Sequence, residues 1–221
     1  MIMKNIVIIS TGAVAAEITS YLDSVKDDCD FILKGYLDYD YNVEKYYKKY
    51  RFSMPIIGDI ETYIPEENDY FILGVANIDF RKKVISTIKN KGGKFFTFIH
   101  PTAIVAKDAK IGEGCIISPF CMIGPNTLIG DFNHLTSYSF ISHDCIVGNN
   151  NLFSSAGICG NVTIGNNNSF YIKSTVVPNV TIENNCIIQA GMLLDKSIKD
   201  ESIVFYRFKE KIISVPKNCN L

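Results

Sequence analysis

The chain has 221 residues, enough for one large domain or two small ones. Its apolar fraction of 47% is that of an ordinary water-soluble protein. With a net charge of −1 and no long basic run, it has no broad electrostatic pull toward nucleic acid or an anionic membrane, and both partners are set aside.

The first segment could be mistaken for a secretion signal, because Ile6 to Ala16 is apolar and contains Ala13-Val14-Ala15. A buried strand over Asn5–Ile9 running into a helix through Glu17, Ile18 and Tyr21-Leu22 accounts for it better. No run approaches the ~20 apolar residues of a membrane span. Phe31–Leu37 is expected as a second strand ending in Asp38, and Tyr39–Arg51 as a polar loop or surface helix. Pro55–Gly58 and Tyr70–Val75 read as strands, Arg81–Lys91 as an amphipathic helix closed by Gly92-Gly93, and Phe95–Ile99 as the last strand. Such alternation predicts a small parallel sheet covered by helices, an α/β (Rossmann-like) domain over residues 1–99.

From His100-Pro101 onward the pattern changes. Aliphatic residues return every six positions at Val105, Ile111, Ile117, Ile123, Ile129, Leu135, Ile141, Val147 and Phe153. After one short step they resume at Ile164, Phe170, Val176, Ile182, Ile188 and Leu194. A helix repeats every 3.6 residues and a lone strand every two; a sustained six marks a solenoid of short strands, each sending one aliphatic side chain inward. Asn149 to Asn151, Asn166 to Asn168 and Asn184-Asn185 suit its corners, since asparagine tolerates positive φ. The repeat is placed at residues 100–195, about five coils, and 196–221 is expected to be a charged, aromatic C-terminal arm. Four or five of the seven cysteines fall inside it, with no CxxC pair, and read as reduced thiols of a cytoplasmic protein.

Two constellations carry candidate chemistry. Ser10, Thr11 and Gly12 lie at a strand-to-helix turn, with Asp38 closing the next strand. Backbone N–H groups at a helix start face phosphate, and a downstream acid accepts from a ribose or base. The glycine pattern is incomplete, and a tight turn without ligand remains open. Within the repeat, His143-Asp144 stands off the aliphatic column; a neutral imidazole oriented by a carboxylate can take a proton from an attacking amine or hydroxyl. His134, nine residues earlier, is assigned to a corner or the same cleft, and His100 to a structural role. A zinc site on His134 and His143 is set aside, because ligands half a coil apart do not converge.

Taken together these segments resemble the sugar O-acyltransferase branch of the hexapeptide-repeat acyltransferases. That branch includes sialic acid O-acetyltransferases and N-acetyltransferases of nucleotide-linked 4-amino-4,6-dideoxyhexoses. The likeness runs through Gly35–Asp38, Pro55–Gly58, Phe98–Ala103, Ser142–Cys145, Gly160–Gly165 and Val176–Ile182. It implies a left-handed parallel β-helix behind the α/β domain and a homotrimer, with acyl-CoA, most simply acetyl-CoA, between adjacent solenoids and no metal. It places the general base on His143 with Asp144 assisting. A nucleotide-linked amino sugar falls on Ser10, Thr11, Gly12, Asp38 and Gly58, and acyl-CoA on Asn151, Leu152, Ile172 and Ala190. The chain departs where relatives carry a second histidine, here Asn151-Leu152. It departs again at Phe170-Tyr171-Ile172-Lys173, where they have Ile-Gly-Ile-Gly, and at Phe205 to Lys209, where they close with Val-Gly-x-Pro-Ala. N-acylation of the amino sugar is the first expectation, O-acetylation of sialic acid or another glycan hydroxyl the alternative, and a non-catalytic solenoid binding protein the lesser one.

Overall fold

The computed structural model describes residues 3–26, 29–39 and 47–206. Its first part is a parallel sheet with helices: β1 (Lys4–Ile9), α1 (Ala13–Val25), β2 (Phe31–Leu37), α2 (Lys48–Tyr50), β3 (Ile56–Gly58), β4 (Asp69–Leu73), α3 (Ile78–Asn90) and β5 (Lys94–Phe95). The strand order is β3-β2-β1-β4-β5. The chain fills one side of β1, then crosses to the other, so the switch point lies between β1 and β4. β1 is fully buried from Ile6 to Ile9, as expected of a central strand covered on both faces. The helix expected from Arg81 begins three residues earlier, because the Asn77 side chain accepts from the Phe80 N–H and starts the first turn. Of the loop or surface helix expected over 39–51, residues 40–46 lie outside the described residues.

The second part is a left-handed parallel β-helix of two-residue strands stacked into three faces. The first face runs from Phe98–Ile99 to Ile203–Val204, the second from Ile104–Val105 to Leu193–Leu194, and the third from Lys110–Ile111 to Thr181–Ile182. The six-residue marks are the inward member of each pair and form one continuous buried column. Phe153 and Phe170 stack on the axis with ring centroids 4.7 Å apart. Phe170→Ala is expected to cost about 3–5 kcal/mol, read from denaturant unfolding, because the stacked coils cannot close around so large a void.

Two boundaries differ from expectation. The single strand expected over Phe95–Ile99 divides: Lys94–Phe95 pairs with β4, while Phe98–Ile99 pairs with Ile116–Ile117 as the first rung of the solenoid. The arm expected from residue 196 is, as far as it is described, another coil: Ile198 bridges to Ile182, and Ile203–Val204 pairs with Ile187–Ile188. The inward positions step by four from Leu194 to Ile198, which hid the repeat. Residues 207–221 lie outside the described residues.

The α/β domain covers the first face of the prism. Its outward side chains Phe98, Ile116, His134, Leu152 and Ser169 are all buried, while Lys110, Leu128, Ile146, Thr163 and Thr181 on the third face are exposed. Arg81 on α3, wholly buried, fastens the two parts: its Nε donates to Asn150 Oδ1 at 2.8 Å and its Nη atoms to the carbonyls of Val75 and Phe132. On the other side the Tyr21 and Ser137 hydroxyls meet at 3.3 Å, and His100 Nε2 lies 3.2 Å from Ser24 Oγ. His100 accepts the Thr102 N–H on Nδ1, so it ties the junction together.

Candidate active site

His143 sits on the edge between the second and third faces, in the corner Ser142-His143-Asp144-Cys145. Asp144 occupies the left-handed region there (φ 58°), a conformation that aspartate tolerates. His143 Nδ1–H donates to Asp144 Oδ2 at 2.7 Å, and Asn126 on the preceding coil donates to Asp144 Oδ1, also at 2.7 Å. The amide of Asn126 first, and the imidazole second, hold the Asp144 carboxyl below the usual carboxylate range, so it stays ionised. The imidazole is 59% exposed, and among the described residues its Nε2 has no hydrogen-bond partner. A hydrogen bond from Nδ1 leaves Nε2 as the basic nitrogen. Space for the ring comes from a glycine: a Cβ on Gly160, one coil further on, would lie 2.5 Å from His143 Cε1.

The proposed nucleotide residues gather at the carboxyl ends of three neighbouring strands, β1, β2 and β3. Ser10 is in the left-handed region (φ 86°), and Gly12 begins α1. Asp38 is 2% exposed. Its Oδ2 accepts from the Thr11 N–H at 2.8 Å and the Thr11 hydroxyl at 2.6 Å, and its Oδ1 from the Tyr39 N–H at 2.8 Å. The acid thus shapes the turn. Gly58 closes β3 beside Leu37. Reading the sequence missed the fourth member of this rim, the loop Gly74-Val75-Ala76-Asn77 after β4. A Cβ on Gly74 would meet the Ile9 carbonyl at 2.7 Å, so only glycine lets the loop approach β1. The glycine following a buried strand was visible; that β4 lies beside β1, making this loop part of the switch-point crevice, was not.

The four acyl-CoA candidates separate. Asn151 is a correction: it is fully buried inside the edge between the third and first faces. Its Nδ2 donates to Asn133 Oδ1 and the Gly165 carbonyl, and its Oδ1 accepts from the Asn168 N–H, so no polar atom remains for a ligand. Leu152 and Ile172 line a cavity of about 350 Å³ between α1 and the edge joining the first and second faces. Ala190 is exposed on that same edge, where the Gly191 N–H donates to the Ile172 carbonyl. The backbone of this edge is unusual. Left-handed positions on the second–third edge hold Asn126, Asp144, Asn161 and Asn179, whereas here they hold Phe120, Tyr138, Ser155, Lys173 and Gly191. Phe120 and Tyr138 stack at 5.3 Å and stay more than half exposed, a strained aromatic pair of the kind found at functional edges. A hollow of about 390 Å³ near Lys4, Asp30 and Phe96 lies at the amino ends of the sheet strands, opposite the rim where α/β sheets bind ligands.

His134 is neither a corner residue nor near His143: it lies in a strand of the first face, 2% exposed, under the α/β domain. Burial, reinforced by the Arg81 charge, pushes its pKa down to about 3, and burial also lowers that of His100. Both histidines protonate more readily in the unfolded chain, which therefore binds more protons below about pH 6.5. Stability is expected to be full above that pH and to fall as the pH drops toward 3; the melting temperature followed from pH 7 to 4 checks it, and His134→Leu should flatten the decline. Among the described residues no group of three or more His, Cys, Asp or Glu could hold a metal ion, and no helix is long and apolar enough to cross a membrane.

Residues 96–125 match the family model "Bacterial transferase hexapeptide (six repeats)". Over 116 residues the chain is 29% identical to the UDP-N-acetylbacillosamine N-acetyltransferase of Bacillus subtilis (strain 168). That match covers 52% of this chain and 51% of the relative, so the chain spans about half the length of the curated relative it matches. Among solved structures, PerB from Caulobacter crescentus, in complex with CoA and GDP-perosamine, superposes with a TM-score of 0.77 at 21% identity, over 90% of this chain and 92% of that one. The acetyltransferase domain of PglB from Neisseria gonorrhoeae FA1090, in complex with acetyl coenzyme A, gives 0.73 at 20%, over 91% and 95%. These likenesses establish the two-part fold. The repeat matched over residues 96–125 continues coil by coil to Val204, so the second part of the chain has the left-handed β-helix fold throughout.

Proposed function

We propose that the protein transfers an acyl group, most simply acetyl, from acyl-CoA to the amino group of a nucleotide-linked 4-amino-4,6-dideoxy sugar. The observation that carries this reading is the His143–Asp144 pair, held at 2.7 Å with the imidazole exposed on an edge of the solenoid. The relative from Bacillus subtilis is by name an N-acetyltransferase of a UDP-linked amino sugar, and PerB is seen with CoA and GDP-perosamine. Both support the substrate classes.

The nucleotide lies over the strand ends, with its phosphates at the start of α1 near Ser10, Thr11 and Gly12, and Asp38 and Gly58 shape the turn beside it. The sugar extends along α1 into the cavity by the first–second edge. Acyl-CoA runs along that edge past Leu152, Ile172 and Ala190. His143 is on a different edge of the same prism, so the imidazole that completes this cleft comes from a neighbouring copy, and the working unit is a homotrimer. The sugar amine attacks the thioester carbonyl carbon while His143 Nε2 takes its proton. The oxyanion collapses, the C–S bond breaks, and the CoA thiolate leaves with the proton returned from His143, giving amide and free thiol. The two proposed substrates and the free cysteines support a cytoplasmic enzyme.

Thiol release from acetyl-CoA, measured with UDP-, GDP- and dTDP-linked amino sugars, tests the reading. An amide product is expected. An ester product would move the nucleophile to a hydroxyl, and no thiol release with any acceptor would remove the enzymatic role.

A further inference from the structure

The buried His134 has no partner that the fold supplies. Its Nδ1 is sealed from solvent without a hydrogen bond, and its ring borders the 350 Å³ cavity between α1 and the solenoid. Its Nε2 also has no hydrogen bond among the described residues, yet it is not sealed, so this is the atom that opens into the cavity. The same outward position on the flanking coils is filled by Ile116 and Leu152, both buried. A leucine would pack there with every group satisfied, whereas an imidazole stripped of water carries an uncompensated polar group. A cost of that kind, at a position where the neighbouring coils avoid it, marks a site whose partner arrives with a ligand.

The rest of the cavity indicates what that ligand is. Glu17 is its one charged side chain, and hydroxyls surround it at Tyr21, Thr136, Ser137, Ser154 and Ser155. Such a lining repels phosphate and suits a polyhydroxylated ring. Low in pKa, the imidazole is neutral at working pH and can exchange one hydrogen bond with a neutral hydroxyl, without a positive charge to draw an anion. Resting on the proposed acceptor class, we infer that His134 is a specificity-determining residue whose Nε2 hydrogen-bonds a hydroxyl of the sugar ring, in a subsite that Glu17 also lines.

Calorimetry with the nucleotide-linked amino sugar tests this without requiring turnover. His134→Leu is expected to weaken its Kd by roughly 10- to 100-fold. The Kd of acetyl-CoA should stay unchanged and the melting temperature equal or higher, and His134→Gln should recover part of the loss. An acceptor lacking the one hydroxyl that His134 touches should bind wild type and His134→Leu equally. A folded His134→Leu variant with unaltered sugar affinity would overturn the inference, as would equal losses on every deoxygenated acceptor. A variant unable to fold would assign the histidine to the core instead. If wild type binds no nucleotide sugar, the acceptor class itself fails; if it binds and His134→Leu binds as well, only this inference does.

Discussion

His143→Asn is expected to lower the acyl-transfer rate by roughly 10²–10⁴-fold, the usual contribution of a positioned base. The loss should fall on kcat, with the Kd of nucleotide sugar and of acetyl-CoA unchanged, because the imidazole acts on a proton that is shared only as the new bond forms. Stability should not move, since the side chain is 59% exposed and its one hydrogen bond goes to an exposed neighbour. Melting temperature, oligomer mass and single-turnover rates separate these effects. An unchanged rate in a folded variant would mean that the amine is deprotonated before it binds, and would remove the imidazole from the mechanism.

The second large effect is expected at a residue that touches no substrate. Gly160→Ala puts a methyl group 2.5 Å from His143 Cε1, closer than any real contact. The backbone of the coil is fixed by ladder bonds on both sides, Asn161 N–H to the His143 carbonyl and Asn179 N–H to the Gly160 carbonyl, so the ring must move. Turning about its own side-chain bonds takes the imidazole away from Asp144 and from the position it needs. Misplacing a catalytic group by about 1 Å can cost 10²-fold, and a loss of that order is expected with the fold intact. The diagnostic result is a fallen kcat with an unchanged melting temperature. Full activity would show that the ring has room to spare.

The solenoid was legible because its physics is one-dimensional: each coil buries one residue in six against its neighbours, so the spacing is the fold. It stopped being legible where a corner changed length. Between Leu194 and Ile198 the step falls from six to four, and a genuine coil read as an arm. Between Phe95 and Phe98 the hydrophobic run continues unbroken while the chain leaves one sheet for another, a change that only pairing partners reveal. The His143–Asp144 pair stood out because a histidine beside an aspartate, off the aliphatic column, lies outside the core, and the structure does place both on an exposed corner. Asn151 misled because a position in a motif does not say which way a side chain points: three coils stack their asparagines inward to satisfy corner carbonyls and N–H groups. His134 was underrated for the same reason, since its burial comes from a domain distant in sequence (the Tyr21–Ser137 contact spans 116 residues).

The central claim is that the chemistry lies between subunits, the imidazole coming from one chain and the substrate cleft from another. Mixing two inactive variants tests it most directly: His143→Asn, which keeps the cleft, and Ala76→Trp, which fills the cavity that Ala76 lines but keeps the imidazole. Trimers refolded from an equal mixture should regain activity at about a quarter of their sites, since each productive cleft needs one neighbour of each kind. Mixed trimers as inactive as either parent would place base and cleft in the same chain and contradict the account.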